Sequence, residues 1–331
     1  MILKNRKILF ISPKFFNYEV EIKKEIENMG GIVDYFDERP KNSTFTKALI
    51  RLNLKKIIYF KINRYYKNII EKIKNIKYDY VFLIAPETIT VNIFLELKKQ
   101  QKNAKFILYM WDSFNNRKNC FNLINYFDSI FTFDKNDLNI NKNIKFRPLF
   151  YIRDYENIAN KKNYKYDLCF IGTVHSDRYK ILKKIEKQAN DNGLKCYFYF
   201  YFPSKLYFWF RKIFDKDFRC AKYKEFYFKP LLKQEVLQII EKSRAVIDIE
   251  HPKQTGLTMR TIEVFGAKRK LITTNSCIKD YDLYNKNNIT IIDRKNPTLS
   301  IDIIKNDYFE LEKNMYEKYS LQNWIKEIFL N

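Results

Sequence analysis

The apolar positions of this chain gather in short, nearly unbroken runs, and stretches with helical spacing separate them. Residues 7–12, 32–36, 79–85, 104–110 and 129–133 are the runs of the first half. A run without polar alternation marks a strand covered on both faces, the condition of strands in a parallel sheet. A helical stretch starts near Tyr18 and stops at Gly30 and Gly31, just before the second run. The pattern then restarts. Residues 166–172, 194–202, 245–249, 270–274 and 288–292 read as strands, with helices over 178–192, closed by Gly193, and over 231–243. Strands alternating with helices are βαβ units, so each half predicts a doubly wound, Rossmann-like α/β domain. The expected divisions are 1–151 for the first domain, a polar linker over 152–165, a second domain over 166–308 and a helical tail over 309–331. Leu311, Met315, Tyr319, Trp324 and Ile328 can share one face of that tail, which is expected to cross back to the first domain.

Composition adds limits. The 331 residues exceed the roughly 250–300 at which one core stops growing, in keeping with two domains. Hydrophobic residues make up 46%, too many for a disordered chain. No run approaches the ~18 uncharged apolar residues of a membrane-spanning helix, and the N-terminal residues lack a signal peptide's apolar core. The five cysteines (Cys120, Cys169, Cys196, Cys220 and Cys277) form no C-x-x-C pair, so reduced thiols in a cytoplasmic protein are expected. The charge balance changes the picture more: 62 Lys+Arg against 38 Asp+Glu leave +24. One reading is an anionic partner, whether nucleic acid, membrane surface or substrate. The other is a composition rich in Lys, Asn, Ile, Tyr and Phe, of the kind an AT-rich coding sequence produces.

Familiar phosphate motifs are missing. No G-x-G-x-x-G follows the first strand, and no G-x-x-x-x-G-K-[ST] occurs, which argues against a dinucleotide dehydrogenase and a P-loop enzyme. Two histidines, His175 and His251, are too few for a histidine metal site, and no cofactor or metal is expected. The most informative stretch is 248–267, where a strand ends in a turn holding Pro252 and Gly256 and a helix begins near Leu257, capped by Thr255 or Thr258. A helix N-terminus offers unpaired N–H groups and partial positive charge, which suits a diphosphate. Arg260 and Glu263 share one face of that helix. An arginine can fork onto phosphate and a carboxylate can accept ribose hydroxyls. The same spacing also fits an ordinary surface ion pair beside a capped turn.

The arrangement of Gly256, Leu257, Arg260, Glu263 and Gly266, followed by the strand 270–274, resembles the donor-binding segment of GT-B glycosyltransferases. The likeness is nearest to bacterial enzymes of capsule, exopolysaccharide or lipopolysaccharide assembly, including those related to the tails of spore maturation proteins. It implies two Rossmann-like domains facing a cleft, with the second holding the nucleotide-sugar, Glu263 on the ribose and Arg260 on the diphosphate or sugar. Retaining members often carry two glutamates eight positions apart, but Thr255 stands eight residues before Glu263. Thr255, Gly256, Leu257, Arg260, Thr261 and Glu263 are therefore the expected donor-binding residues of this segment. As an exposed helix residue, Glu263 is expected to tolerate alanine without loss of folding.

A second candidate site is 170–178. Gly172 at the tip of a parallel strand lets a ligand approach the backbone, and Gly172, Thr173 and Arg178 are phosphate candidates with His175 beside them. The alternative is a tight turn in which Ser176 or Asp177 caps the next helix. For an inverting enzyme, the base is expected in the first domain. Asp112 at the end of the fourth strand is the candidate, with Glu19 and Glu87 as competitors. Two basic segments bear on partners. Residues 46–77 hold ten Lys/Arg against one acid, with isoleucines at helical spacing; residues 197–229 interleave Trp209 and many Phe and Tyr with eight Lys/Arg and three acids. Such segments suit an anionic membrane surface, or else their apolar stripes are core and their lysines the solvated side. The leading reading is a cytoplasmic glycosyltransferase, peripheral at the inner membrane face, acting on a glycolipid or polysaccharide acceptor. Its rivals are a single-strand nucleic-acid-binding protein and another sugar-nucleotide enzyme, such as a 2-epimerase or pyruvyl transferase. No RRM, KH or helix-turn-helix signature supports nucleic acid.

Overall fold

The computed structural model describes residues 2–40, 55–252 and 255–330. The chain divides into two units, Met1–Pro148 with Leu321–Asn331, and Leu149–Ser320. The first runs β1 (Lys7–Ser12), α1 (Tyr18–Asn28), β2 (Ile32–Asp37), α2 (Lys55–Lys72), β3 (Tyr80–Ile84), α3 (Val91–Gln100), β4 (Lys105–Met110), β5 (Ser129–Thr132) and β6 (Ile144–Phe146). All six strands are parallel, in the order β2-β1-β3-β4-β5-β6. Residues 8–11, 81–84 and 106–110 are fully buried, as doubly covered strands require. β6 was not expected; at three residues it is too short for periodicity to reveal.

Part of the basic segment 46–77 lies outside the described residues, namely 46–54. In the rest, Ile62, Tyr66, Ile69, Ile70 and Ile73 are buried, so the described stripe is core and its lysines are the solvated side. The tail is two helices rather than one. Its last, Leu321–Leu330, belongs to the first unit, where the fully buried Trp324 meets Tyr109 edge-on at 4.6 Å and Phe329 packs on Tyr80 at 5.1 Å. Burying each such ring contributes about 1.5–3 kcal/mol.

The second unit holds α4 (Arg153–Asn157), β7 (Tyr166–Thr173), α5 (Arg178–Asp191), β8 (Cys196–Tyr201), α6 (Lys205–Phe214), β9 (Phe226–Tyr227), α7 (Lys233–Glu241), β10 (Ser243–Asp248), α8 (Met259–Gly266), β11 (Lys270–Thr273), β12 (Ile289–Ile291), α9 (Ile301–Lys305) and α10 (Lys313–Lys318). Its parallel sheet runs β12-β11-β10-β7-β8-β9. Counted from its own first strand, this is the Rossmann order 3-2-1-4-5-6. The stretch expected to be a linker is part of this unit: Tyr155 of α4 is buried, and its hydroxyl bonds with Glu263 and Arg260 of α8. Gly266 closes α8 against the Tyr151 ring, where any Cβ would come within 2.4 Å, so this glycine serves packing. Arg269 is buried and donates to backbone carbonyls of residues 158, 159, 161, 240, 241 and 267, fastening α4, α7 and α8 together.

Candidate functional site

In an open parallel sheet, ligands sit outside the strand C-terminal ends, where neighbouring strands send their connections in opposite directions. The second unit makes that switch between β7 and β10. Both segments singled out in the sequence, 170–178 and 248–267, reach this edge with their described residues.

Gly172 and Thr173 end β7. Arg178 opens α5 and turns back, its Nη1 donating to the Thr173 carbonyl at 2.9 Å. Burial pushes its guanidinium below the ordinary value, although Asp248, Glu250 and Asp177 pull the other way. Its Nε is buried with no hydrogen-bond partner among the described residues. The His175 ring lies 5.4 Å from that of His251, and its Nδ1 lies 3.2 Å from the Ser176 hydroxyl. Burial, reinforced by Arg178, His251, Arg211 and Arg294, pushes its imidazole down to about 4, so it is neutral at neutral pH. Arg211 of α6 shapes the loop from outside, donating to the Val174 carbonyl at 3.3 Å and the Ser176 carbonyl at 3.1 Å.

Sequence reasoning missed the centre of this network. Arg294, just beyond β12, grips Asp177 with two donors at 2.8 and 2.9 Å. It also pairs with the Glu250 carboxylate and donates to the Glu250 carbonyl at 2.9 Å. Its position at a strand C-terminal end was the available signal. Asp177 occupies the N-cap position of α5 but makes no side-chain cap bond, because its carboxylate serves Arg294.

On the β10 side, α8 begins at Met259, two residues later than expected, and Thr258 is its cap, accepting from the Thr261 N–H at 3.1 Å. Thr258 and Thr261 both donate to Asp248, Thr261 at 2.7 Å, so the Thr261 hydroxyl is committed within the fold. Gly256 and Leu257 are buried, and the Thr255 carbonyl accepts from Asn275. Arg260 and Glu263 pair at 2.6 Å as their spacing suggested, but not on an exposed face: only 7% of Glu263 is exposed. The pair and Tyr155 form one buried cluster.

In the first unit, Asp112 follows β4 and accepts from Asn116 at 2.8 Å and from Arg117 Nε at 3.0 Å. Arg117 reaches on to Glu87 at 2.6 Å, Glu87 to Arg39 at 3.0 Å, and Arg39 to the fully buried Glu38 at 3.6 Å. Burial would raise the Glu87 carboxyl, yet Arg117 and Arg39 outweigh it and hold it below its ordinary value. Glu19 is buried and accepts from the Phe15 N–H at 3.0 Å. Behind Asp112 sits an acid that the sequence reading passed over. Burial lifts Asp137 to about 6 while it accepts from Thr132 at 2.7 Å. Among the described residues, no three His, Cys, Asp or Glu side chains gather where a metal ion could sit. No described helix is long and apolar enough to cross a membrane.

No protein-family model matches the sequence, and no curated protein is similar to it at sequence level. Solved structures do share its architecture. A glycosyltransferase from Rickettsia africae ESF-5 is 14% identical over 99% of each chain, with a TM-score of 0.57. The lipopolysaccharide outer core galactosyltransferase WaaB, in its apo form, is 15% identical over 98% of this chain and 99% of its own, with a TM-score of 0.53. Anabaena HepE, solved in complex with UDP-glucose, is 11% identical over 98% of this chain and 95% of its own, with a TM-score of 0.54. At such identities the likeness is one of fold. Two Rossmann-like units, each built on a six-stranded parallel sheet, make this the GT-B fold of those glycosyltransferases.

Proposed function

We propose that the chain is a glycosyltransferase that moves a sugar from a nucleotide-sugar donor, held by the second unit, to a lipid-linked or surface-polysaccharide acceptor of the capsule, exopolysaccharide or lipopolysaccharide kind. One observation carries the reading: Arg178 and Arg294 meet at the β7/β10 switch point, beside the start of α8. Sugar transfer leaves a nucleoside diphosphate whose negative charge grows as the glycosidic bond breaks. Fixed donors aimed at that charge lower the barrier without reorganising. Arg178 brings a buried N–H without a described partner, and α8 brings its N-terminal partial charge. Arg294 adds positive charge held by Asp177 and Glu250. Neutral His175 can bond a sugar or phosphate oxygen without adding charge. With these groups the reaction needs neither metal nor cofactor. Arg260 and Glu263 serve by holding α8 against α4. For an inverting transfer, Asp112 is the proposed base. The donor class agrees with the UDP-glucose complex of HepE and the galactosyltransferase activity of WaaB. The protein is expected in the cytoplasm, peripheral at the inner membrane face, with no nucleic acid as partner.

A thermal-shift panel of UDP, GDP, CDP, CMP and TDP and their sugars tests this. A ligand at about 100 times its Kd stabilises by ~2.7 kcal/mol, a readable shift. One nucleotide should stand out, and Arg178→Ala should lose the shift while remaining folded. An unchanged shift in that variant would sink the site. Silence across the panel, with RNA binding that falls steeply with salt, would move the chain to the nucleic-acid class.

A further inference from the structure

Helix α6 is built the wrong way round for a soluble surface. Of its ten residues only Phe208 and Arg211 are buried, Phe208 among Phe202, Phe218 and Phe226. The other face presents Leu206, Tyr207, Trp209, Phe210, Ile213 and Phe214, with Leu206 84% and Phe214 69% exposed. Elsewhere in the same unit the pattern is ordinary: α5 buries Tyr179, Ile181, Leu182 and Ile185 and turns its lysines outward. Contiguous exposed apolar surface of this kind marks an interaction site.

The surroundings say what covers it. Tyr223 stacks on Trp209 at 5.7 Å, and Lys212 donates to the Ala221 carbonyl, so the loop 219–224 lies along α6. That loop and the helix start bring exposed Lys205, Arg219, Lys222 and Lys224 beside the aromatic face. The acids of the stretch whose side chains are described are paired within the unit: Asp215 with Arg211, and Glu225 with Lys183. An apolar aromatic ridge flanked by exposed lysines and an arginine is complementary to a bilayer interface, where rings enter the headgroup region and cations meet anionic lipid.

We infer that α6 and the adjoining loop 219–224 form a docking face for an anionic phospholipid bilayer. This rests on the reading that the acceptor lies at a membrane, and it names the element that makes the contact. Arg211 joins this face to the donor-site loop through Val174 and Ser176, so the docked helix holds that loop directly.

The test is vesicle co-sedimentation of the full chain, without nucleotide, so that donor binding and docking fail separately. Phosphatidylcholine vesicles with and without phosphatidylglycerol are compared. The variants are Trp209→Ser/Phe210→Ser/Phe214→Ser and Lys222→Glu/Lys224→Glu, all at exposed positions and each checked by thermal melt. The wild-type chain should bind anionic vesicles at least about tenfold better than neutral ones, given about fivefold per basic residue near the surface. The aromatic variant should lose that binding, and the charge variant should weaken it and lower its salt dependence. Equal binding by the aromatic variant overturns the inference. So does a wild-type chain that ignores vesicles but self-associates in sedimentation velocity, with the aromatic variant monomeric; the face would then join two copies.

Discussion

The two units share one plan and part company at the rim. Each is a six-stranded parallel sheet whose first strand lies next to a switch point, β1/β3 in one and β7/β10 in the other. At the first unit's rim, five charges form a continuous chain, Glu38–Arg39–Glu87–Arg117–Asp112, in which each arginine sits between two carboxylates. Exposed Phe15 lies beside it, its ring 5.4 Å from that of Trp111. At the second unit's rim the arginines are not balanced so evenly. Arg294 is held by Asp177 and Glu250, but Arg178 bonds a carbonyl and keeps a buried N–H without a described partner. Arg39 Nε and Glu38 Oε2 at the first rim are also buried without a hydrogen-bond partner among the described residues. There, however, three carboxylates outnumber two arginines, whereas Arg178 pairs with no carboxylate among the described residues, so it is the second rim that retains capacity for an anion. Fold locates both switch points; only the side chains decide which of them takes a phosphate.

Removing an arginine from each rim should break this comparison where it is strongest. Arg117→Ala takes from Glu87 one of its two arginine partners and from Asp112 its arginine, and should cost about 1–3 kcal/mol of stability, because a partly buried carboxylate loses a charged hydrogen bond. Nucleotide binding should be untouched. Arg178→Ala should do the reverse: little change in melting, and a loss of about 10–100-fold in nucleoside-diphosphate affinity, the worth of one charge-assisted hydrogen bond. Urea unfolding and calorimetric titration on both variants decide it. Nucleotide affinity lost in Arg117→Ala would reverse the assignment of the two rims.

Much of this was legible beforehand. Unbroken apolar runs gave ten of the strands, since a doubly covered strand needs no alternation, and Trp324 and Ile328 on one face anticipated the terminal helix of the first unit. What stayed hidden was partnership between distant residues. Glu263 reads as exposed from helical spacing, because nothing local announces that Tyr155 will fold over it. Arg294 stands far from both motifs in sequence, and the sheet order alone brings it to Asp177. Short strands such as β6 and β9 fall below any periodic signal. The buried setting of Glu263 alters its mutant. Glu263→Ala leaves Arg260 and Tyr155 without their acceptor and should destabilise by about 2 kcal/mol. Glu263→Gln keeps one acceptor oxygen and should recover roughly half of that loss. A weaker nucleotide response in Glu263→Ala, restored in Glu263→Gln along with stability, would assign this residue to holding α8. A response absent in both at full stability would give it a direct ligand role.

The finest contrast is in pH, because His175 in the second unit and Asp137 in the first are shifted so that their contributions slope in opposite directions. His175 drops from an unfolded value near 6.5 to about 4, so between these values the unfolded chain binds the extra proton. The stability of the second unit should therefore rise with pH across that window and be complete above it. Asp137 climbs from 3.8 to about 6, so there the folded chain holds the extra proton. Its contribution is present at acid pH and lost as pH rises through that range. Each effect is on the order of 1 kcal/mol once solvent screening is allowed for. They nearly cancel in a global melt, so the reading must be local, by amide exchange of β7 and of β5 across pH 4 to 6.5. His175→Asn should flatten the second unit's slope alone, and Asp137→Asn the first unit's alone. A single variant that flattens both would mean that the two units do not open independently, and that the comparison of their rims describes one cooperative body.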